Sequence, residues 1–156
     1  MRDRSDAEPR ELEGTEGAKF PFWSPDGRYI GYFTPAELRT YDTVITVCQS
    51  SQGRGGTWTD DGRIIFAPRF RGGLVIVDER GGEPVPLTSL DEDLHTSHRW
   101  PFVIPGSTRF LFSAVSSRSG EAGNNAVYLA DLASESPPVR LQPSSFGASY
   151  AAGHLL

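Results

Sequence analysis

The stretch Phe20-Pro21-Phe22-Trp23-Ser24-Pro25-Asp26-Gly27-Arg28-Tyr29-Ile30-Gly31-Tyr32-Phe33 holds an aromatic run, a tight turn and an apolar run. Its middle, Ser24-Pro25-Asp26-Gly27, suits a β-turn residue by residue. Serine hydrogen-bonds the turn backbone, and proline presets φ at the first corner. Aspartate tolerates the second corner, and glycine takes the positive φ that closes the loop. One such hairpin is ordinary; its recurrence decides the fold. Thirty-five residues on, glycine to glycine, comes Thr57-Trp58-Thr59-Asp60-Asp61-Gly62-Arg63-Ile64-Ile65-Phe66. Forty-four further comes Pro101-Phe102-Val103-Ile104-Pro105-Gly106-Ser107-Thr108-Arg109-Phe110-Leu111-Phe112. In each copy an aromatic residue (Trp23, Trp58, Phe102) precedes the glycine (Gly27, Gly62, Gly106) by four positions. A worn fourth copy begins near Ser149-Tyr150-Ala151-Ala152-Gly153. Units of about 40–45 residues with four short strands each are the spacing of propeller blades.

Composition agrees. Glycine (17) and proline (12) make nearly a fifth of the 156 residues, a turn-rich usage without low-complexity tracts. Strands are expected at 20–23, 28–33, 37–42 and 44–48, the last two joined tightly around Asp42-Thr43. In the second unit they are expected at 56–58, 63–67, 73–78 and 84–88, and in the third at 100–103, 108–114, 126–131 and 138–142. Residues 1–10 are charged and unpatterned and are expected to be flexible. Glu11 to Ala18 reads as a short strand followed by a linker. Ile64-Ile65-Phe66-Ala67, Leu74-Val75-Ile76-Val77 and Phe110-Leu111-Phe112 are continuous apolar runs. A sheet with one wet face would alternate instead, so both faces of each blade are expected to be covered by neighbours.

With these units in view, Trp23-Ser24-Pro25-Asp26-Gly27-Arg28 and Trp58-Thr59-Asp60-Asp61-Gly62-Arg63 resemble the WD-like repeat of TolB-type β-propellers. Gly81-Gly82-Glu83-Pro84, before Val85-Pro86-Leu87-Thr88, is similar to that family's closing hairpin. Gly14 to Ala18, Phe20 to Trp23 and Ser97-His98-Arg99-Trp100-Pro101 resemble propeller regions attached to some bacterial serine/threonine kinases. Two departures stand out: Asp42-Thr43-Val44 replaces a glycine-pair turn, and Ile104-Pro105-Gly106-Ser107 replaces an Asp-Gly turn. The chain itself has no kinase domain, lacking a Gly-rich loop with its lysine strand and any His-Arg-Asp or Asp-Phe-Gly motif.

Several classes of chemistry can be weighed from the residues. Net charge is −5, and with no basic stripe along the sequence a nucleic-acid-binding role is disfavoured. Cys48 is the only cysteine, so no intrachain disulfide can form. No apolar run approaches the length of a membrane-spanning helix. The N-terminus has no signal-peptide core, so the chain as written is expected in the cytoplasm, or in the periplasm within a larger TolB-like or membrane-kinase protein. Gly147-Ala148-Ser149-Tyr150-Ala151 nearly spells a nucleophile elbow, but that motif needs a following helix, an acid and a histidine. His95 and His98, with Asp91, Glu92 and Asp93 nearby, raise the question of a metal site. An inter-blade loop with His98 and Arg99 bonding locally near Trp100 is favoured over it. Gly53-Arg54-Gly55-Gly56 precedes a strand rather than a helix, which weakens a phosphate-cradle reading. Trp23, Trp58 and Trp100 are read as packing residues between blades more than as ligand platforms.

The sequence therefore implies an all-β, partial β-propeller with blades at about 20–48, 56–88 and 99–141, incomplete flanking blades, and a further blade starting at 148–156. It implies no catalysis and no cofactor. The expected role is protein or peptide binding, with Arg54, His95, His98 and Arg99 as loop candidates. An alternative is the sensory or substrate-gating portion of a kinase or propeller-containing peptidase whose catalytic domain lies elsewhere; another is a fragment with no function of its own. Apolar end faces imply self-association or docking onto the rest of a parent protein.

Overall fold

In the computed structural model, residues 11–41, 45–118, 120 and 122–156 are described. The expected flexible segment 1–10 and the Asp42-Thr43 hairpin lie outside them. The turn that opens each unit forms as its residues dictate. Gly27 (φ 69°) donates its N–H to the Ser24 carbonyl at 2.9 Å, and Ser24 Oγ–H donates to Asp26 Oδ1 at 2.6 Å. Gly62 (φ 80°) repeats this on Thr59 at 3.2 Å, and Thr59 Oγ1–H bonds Asp61.

Around these turns the chain meanders into antiparallel sheets. The first contains β1 (Lys19–Trp23), β2 (Ile30–Phe33), β3 (Glu37–Tyr41) and β4 (Ile45–Gln49) in sequential order. The second contains β5 (Gly56–Trp58), β6 (Arg63–Phe66), β7 (Val75–Asp78) and β8 (Val85–Pro86). The third contains β9 (Ser97–Val103), β10 (Arg109–Val115), β11 (Ala126–Asp131) and β12 (Val139–Pro143). A two-stranded hairpin follows, β13 (Tyr150–Ala151) with β14 (His154–Leu155). A single 3₁₀ turn, Ala122–Asn124, is the only helical element among the described residues. This is an all-β partial propeller.

The continuous apolar runs work as expected of a blade covered on both faces. Along β6, Ile64 and Phe66 join Phe33, Leu38, Val47 and Trp58 in one cluster between the first and second blades. The intervening Ile65, with Ala67 and Leu74, joins Phe110, Phe112 and Ala114 in a second cluster between the second and third. Ile64, Ile65 and Phe66 are each fully buried, and each contributes roughly 1.5–3 kcal/mol.

Four expectations change. First, Trp23, expected between blades, is 63% exposed, whereas Trp58 is 7% exposed. Trp58 packs on Phe22 and Tyr29 of the preceding blade, with ring centroids 6.3 Å away in both cases, and among the described residues no blade precedes Trp23. Second, the third turn is one residue out of step. Ser107 N–H, not that of Gly106, closes on the Ile104 carbonyl at 3.2 Å. Val103, rather than Phe102, therefore occupies the Trp23 and Trp58 position: Trp23 pairs with Ile30, Trp58 with Ile64 and Val103 with Phe110. Third, residues 11–18 form two successive turns instead of a strand, with Thr15 N–H bonded to the Leu12 carbonyl and Ala18 N–H to that of Thr15. Fourth, β9 begins at Ser97, earlier than expected, because Ser97 and His98 pair with Val115 and Ala114.

The innermost strands share one irregularity. The register of β1 shifts between Lys19 and Phe22, and that of β9 shifts opposite Leu111 to Ser113. At each break sits a residue with positive φ, Phe20 at 51° and Trp100 at 49°, and Gly55 at 95° occupies the corresponding place before β5. Bulky residues avoid this region, so a backbone cost of order 1–3 kcal/mol is carried at each aromatic.

Candidate functional site

The residues just before those breaks are Lys19, Arg54 and Arg99, and pairing makes them equivalent. Lys19 lies opposite Phe33 and Arg99 opposite Ser113, while Arg54 N–H donates to the Ala67 carbonyl at 3.0 Å. Phe33, Ala67 and Ser113 are the same position of successive second strands, each three residues beyond the Ile30, Ile64 or Phe110 pairing. A cation thus recurs at one place on three adjacent inner strands, each time followed by a left-handed residue. The strands touch here: Trp100 N–H donates to the Arg54 carbonyl at 3.0 Å, and a Cβ on Gly55 would come 3.0 Å from Trp100 Cα.

Arg54 and Arg99 converge on Phe70, which projects from the loop between β6 and β7 and is 37% exposed. Arg54 Cζ lies 5.4 Å from the Phe70 ring centroid and 6.0 Å from that of Phe20. Arg99 Cζ lies 4.5 Å from Phe70 and 6.0 Å from Trp100. The result is a stack alternating aromatic and guanidinium, in the order Phe20, Arg54, Phe70, Arg99, Trp100. Each contact of this kind is worth about 0.5–1 kcal/mol where solvent reaches it. The guanidinium planes are also tied by hydrogen bonds. Arg54 Nη1 donates to the Gly53 carbonyl at 3.0 Å; Arg99 Nε donates to Ser97 Oγ at 2.9 Å and Nη2 to the Phe70 carbonyl at 3.2 Å. Burial, and then the like charge of Arg54, pull the Arg99 pKa below its ordinary value. Beside the stack an apolar groove of about 460 Å³ runs along Pro21, Gly56, Pro101, Phe102 and Phe146.

Of the four residues singled out from sequence, Arg54 and Arg99 are brought together here and the two histidines are not. His95 and His98 are 3% and 5% exposed, and His98 belongs to β9 rather than to a loop. The His98 ring packs 4.6 Å from Phe112, and its Nδ1 is 2.8 Å from Thr88 Oγ1. The His95 ring stands edge-on to Tyr128, and its Nε2 is 3.1 Å from the Asn124 carbonyl. Burial first, and the neighbouring His95 second, push the His98 pKa down to about 4. Asp91, Glu92 and Asp93 stay exposed while the imidazoles turn inward onto these partners. Among the described residues no three such side chains converge as metal ligands do.

Phe70 and Lys19 were not legible as site residues. Phe70 lies in a loop with no repeat partner, and Lys19 gains meaning only from pairing register. The signal that could have found Lys19 is a cation four residues before Trp23, Trp58 and Val103, which requires the one-residue correction in the third unit. Elsewhere, Ser149 exchanges backbone hydrogen bonds with Leu156 at 3.0 and 2.8 Å. The Gly147–Ala151 stretch therefore leads into the β13–β14 hairpin and makes no strand-to-helix elbow.

Neither a protein-family model nor a curated protein sequence matches the chain. Among solved structures it is similar to one assigned as a TolB protein from Agrobacterium tumefaciens, with a TM-score of 0.62 and 16% identity. The match covers 86% of this chain and 50% of that one, so this chain spans half the length of that structure. The class defined by blade order and by this likeness is a β-propeller of TolB-like fold. At that identity the likeness is one of fold.

Proposed function

We propose that the chain is a non-catalytic propeller module that binds a protein or peptide on the rim formed by Arg54, Phe70, Arg99 and Trp100. The observation that carries this reading is the aromatic–guanidinium stack, held on strained backbone beside an open apolar groove. Aromatic and arginine side chains are the groups that dominate recognition surfaces, and strain retained at one location supports a functional reading of it. Display selection of peptides on the immobilised chain, repeated on the Arg54→Glu/Arg99→Glu variant, tests it. Enrichment lost in the variant is expected; no enrichment, or enrichment indifferent to the variant, would overturn it.

A second reading concerns the blade faces. Trp23 at one end and Val139 and Leu141 at the other, 63%, 60% and 43% exposed, favour contact with further β-blade surface. That surface belongs to a second copy or to the rest of a larger protein, the resemblance to kinase-attached propellers supporting the latter. In that setting the module acts as a sensory or gating part. Light scattering across a dilution series tests it: a monodisperse monomer at every concentration, with no binding of an apolar dye, would count against it.

A further inference from the structure

We propose that the rim recognises carboxylates, so that Lys19, Arg54 and Arg99 together bind the acidic side chains of an extended peptide whose apolar residues lie in the adjoining groove. The proposal rests on the binding-module reading above and gives it a ligand chemistry. Arg28, Arg39, Arg63 and Arg109 each pair with a carboxylate. Arg54 and Arg99, like Arg69, Arg71, Arg80 and Arg140, have no such partner among the described residues, but these two converge on one aromatic ring, Phe70.

Their donors are left over in a definite pattern. A guanidinium carries five N–H donors in one plane. Arg54 spends only Nη1, on the carbonyls of Gln52 and Gly53, and Arg99 spends Nε and Nη2. Nε and Nη2 of Arg54 and Nη1 of Arg99 have no protein acceptor among the described residues. Phe70 holds the two guanidinium carbons 5.4 and 4.5 Å from its ring centroid, and the donors left over suit a planar carboxylate. Burial first, and the like charge of Arg54 second, lower the Arg99 pKa, and an anion that binds both arginines relieves the repulsion between them. Lys19, at the equivalent place one strand away, extends the row, so a ligand with several spaced carboxylates is favoured over a single one. The groove walls of Pro21, Pro101, Phe102 and Phe146 suit a peptide with apolar side chains beside its acids.

The test is fluorescence anisotropy of the full chain with a labelled peptide of four glutamates followed by phenylalanine, against the same peptide with glutamines. The glutamate peptide is expected to bind more tightly by about tenfold or more, with affinity falling as salt rises. Arg54→Gln and Arg99→Gln should each weaken it about tenfold, and Lys19→Gln a few-fold. Arg140→Gln on exposed β12 should leave it unchanged. Arg54→Lys and Arg99→Lys, which keep the charge but lose the fork, should fall between, and circular dichroism confirms that each variant is folded. Equal binding of the glutamine peptide, still dependent on the rim, overturns the carboxylate assignment and leaves the peptide module standing. Absence of binding by both peptides overturns the assignment too, and the module falls with it if display-selected peptides also ignore the rim. Displacement by pyrophosphate or oligothymidylate at lower concentration than by unlabelled glutamate peptide overturns it in favour of a phosphate ligand.

Discussion

Trp23 and Trp58 hold the same pairing position in successive blades, opposite Ile30 and Ile64, yet one is 63% exposed and the other 7%. Their difference comes from the neighbouring blade. Trp58 rests on Phe22 and Tyr29 and donates its indole N–H to Glu79 Oε2 at 2.8 Å. Trp58→Ala is therefore expected to cost about 3–5 kcal/mol, and Trp23→Ala no more than about 0.5 kcal/mol in dilute solution. Chemical denaturation of the two variants checks this. Equal losses would mean that Trp23 is covered by another molecule under the conditions used, and Trp23→Ala should then also reduce association.

His98 makes stability depend on pH. Its folded pKa, near 4, lies below the ordinary histidine value of 6.5. Below 6.5 the unfolded chain takes up a proton that the folded chain refuses. Stability is thus full above pH 6.5 and is lost as pH falls towards 4, by roughly 3 kcal/mol in all. His98→Gln should flatten that part of the profile, measured by urea denaturation between pH 4 and 7.5. An unchanged slope would place the titration elsewhere.

Gly31 and Gly56 admit the Phe22 ring between blades. A Cβ at Gly31 would stand 2.3 Å from that ring, and one at Gly56 2.5 Å. Neither glycine has positive φ, so space and not conformation demands it. Gly31→Ala should cost about 1–3 kcal/mol through overpacking, and adding Phe22→Leu should recover part of the loss. Thermal unfolding of the single and double variants reads this out; a double variant no better than the sum of its singles would contradict it.

Cys48 is buried beside Val47 in the cluster between the first two blades. Burial, and then the Glu83 charge, push its thiol pKa up to about 11. Its thiolate population at neutral pH is negligible, and thiolate is the reactive form. Reaction with an aromatic disulfide reagent should proceed only as the chain unfolds. Fast labelling of the native chain at pH 7 would show that this inter-blade space opens readily.

Much of the fold was legible in local sequence because propeller blades are built from short-range rules. Ser24-Pro25-Asp26-Gly27 carries its turn in its own side chains, and the unbroken apolar run Ile64 to Ala67 announces a strand covered on both faces. Arg54 and Arg99 are singled out separately, one from a glycine-rich stretch and the other from an expected inter-blade loop, with nothing in the sequence to join them. What the sequence by itself could not determine depended on register and on neighbours. In the third turn the glycine stands one place earlier than in the other two, since Ser107 and not Gly106 closes the turn; Val103, not Phe102, therefore holds the repeat position, and only hydrogen bonding records such a shift. His98, a plausible loop ligand by spacing, became a neutral core residue because pairing with Ala114 turned its ring onto Phe112. Trp23 and Trp58 have nearly the same local context and opposite exposure, since burial belongs to the adjacent blade. The cationic row of Lys19, Arg54 and Arg99, and the choice of Phe70 to bind two of them, arise where inner strands and a distant loop meet. Tertiary structure alone decides that meeting, because the residues involved are up to 80 positions apart in the chain.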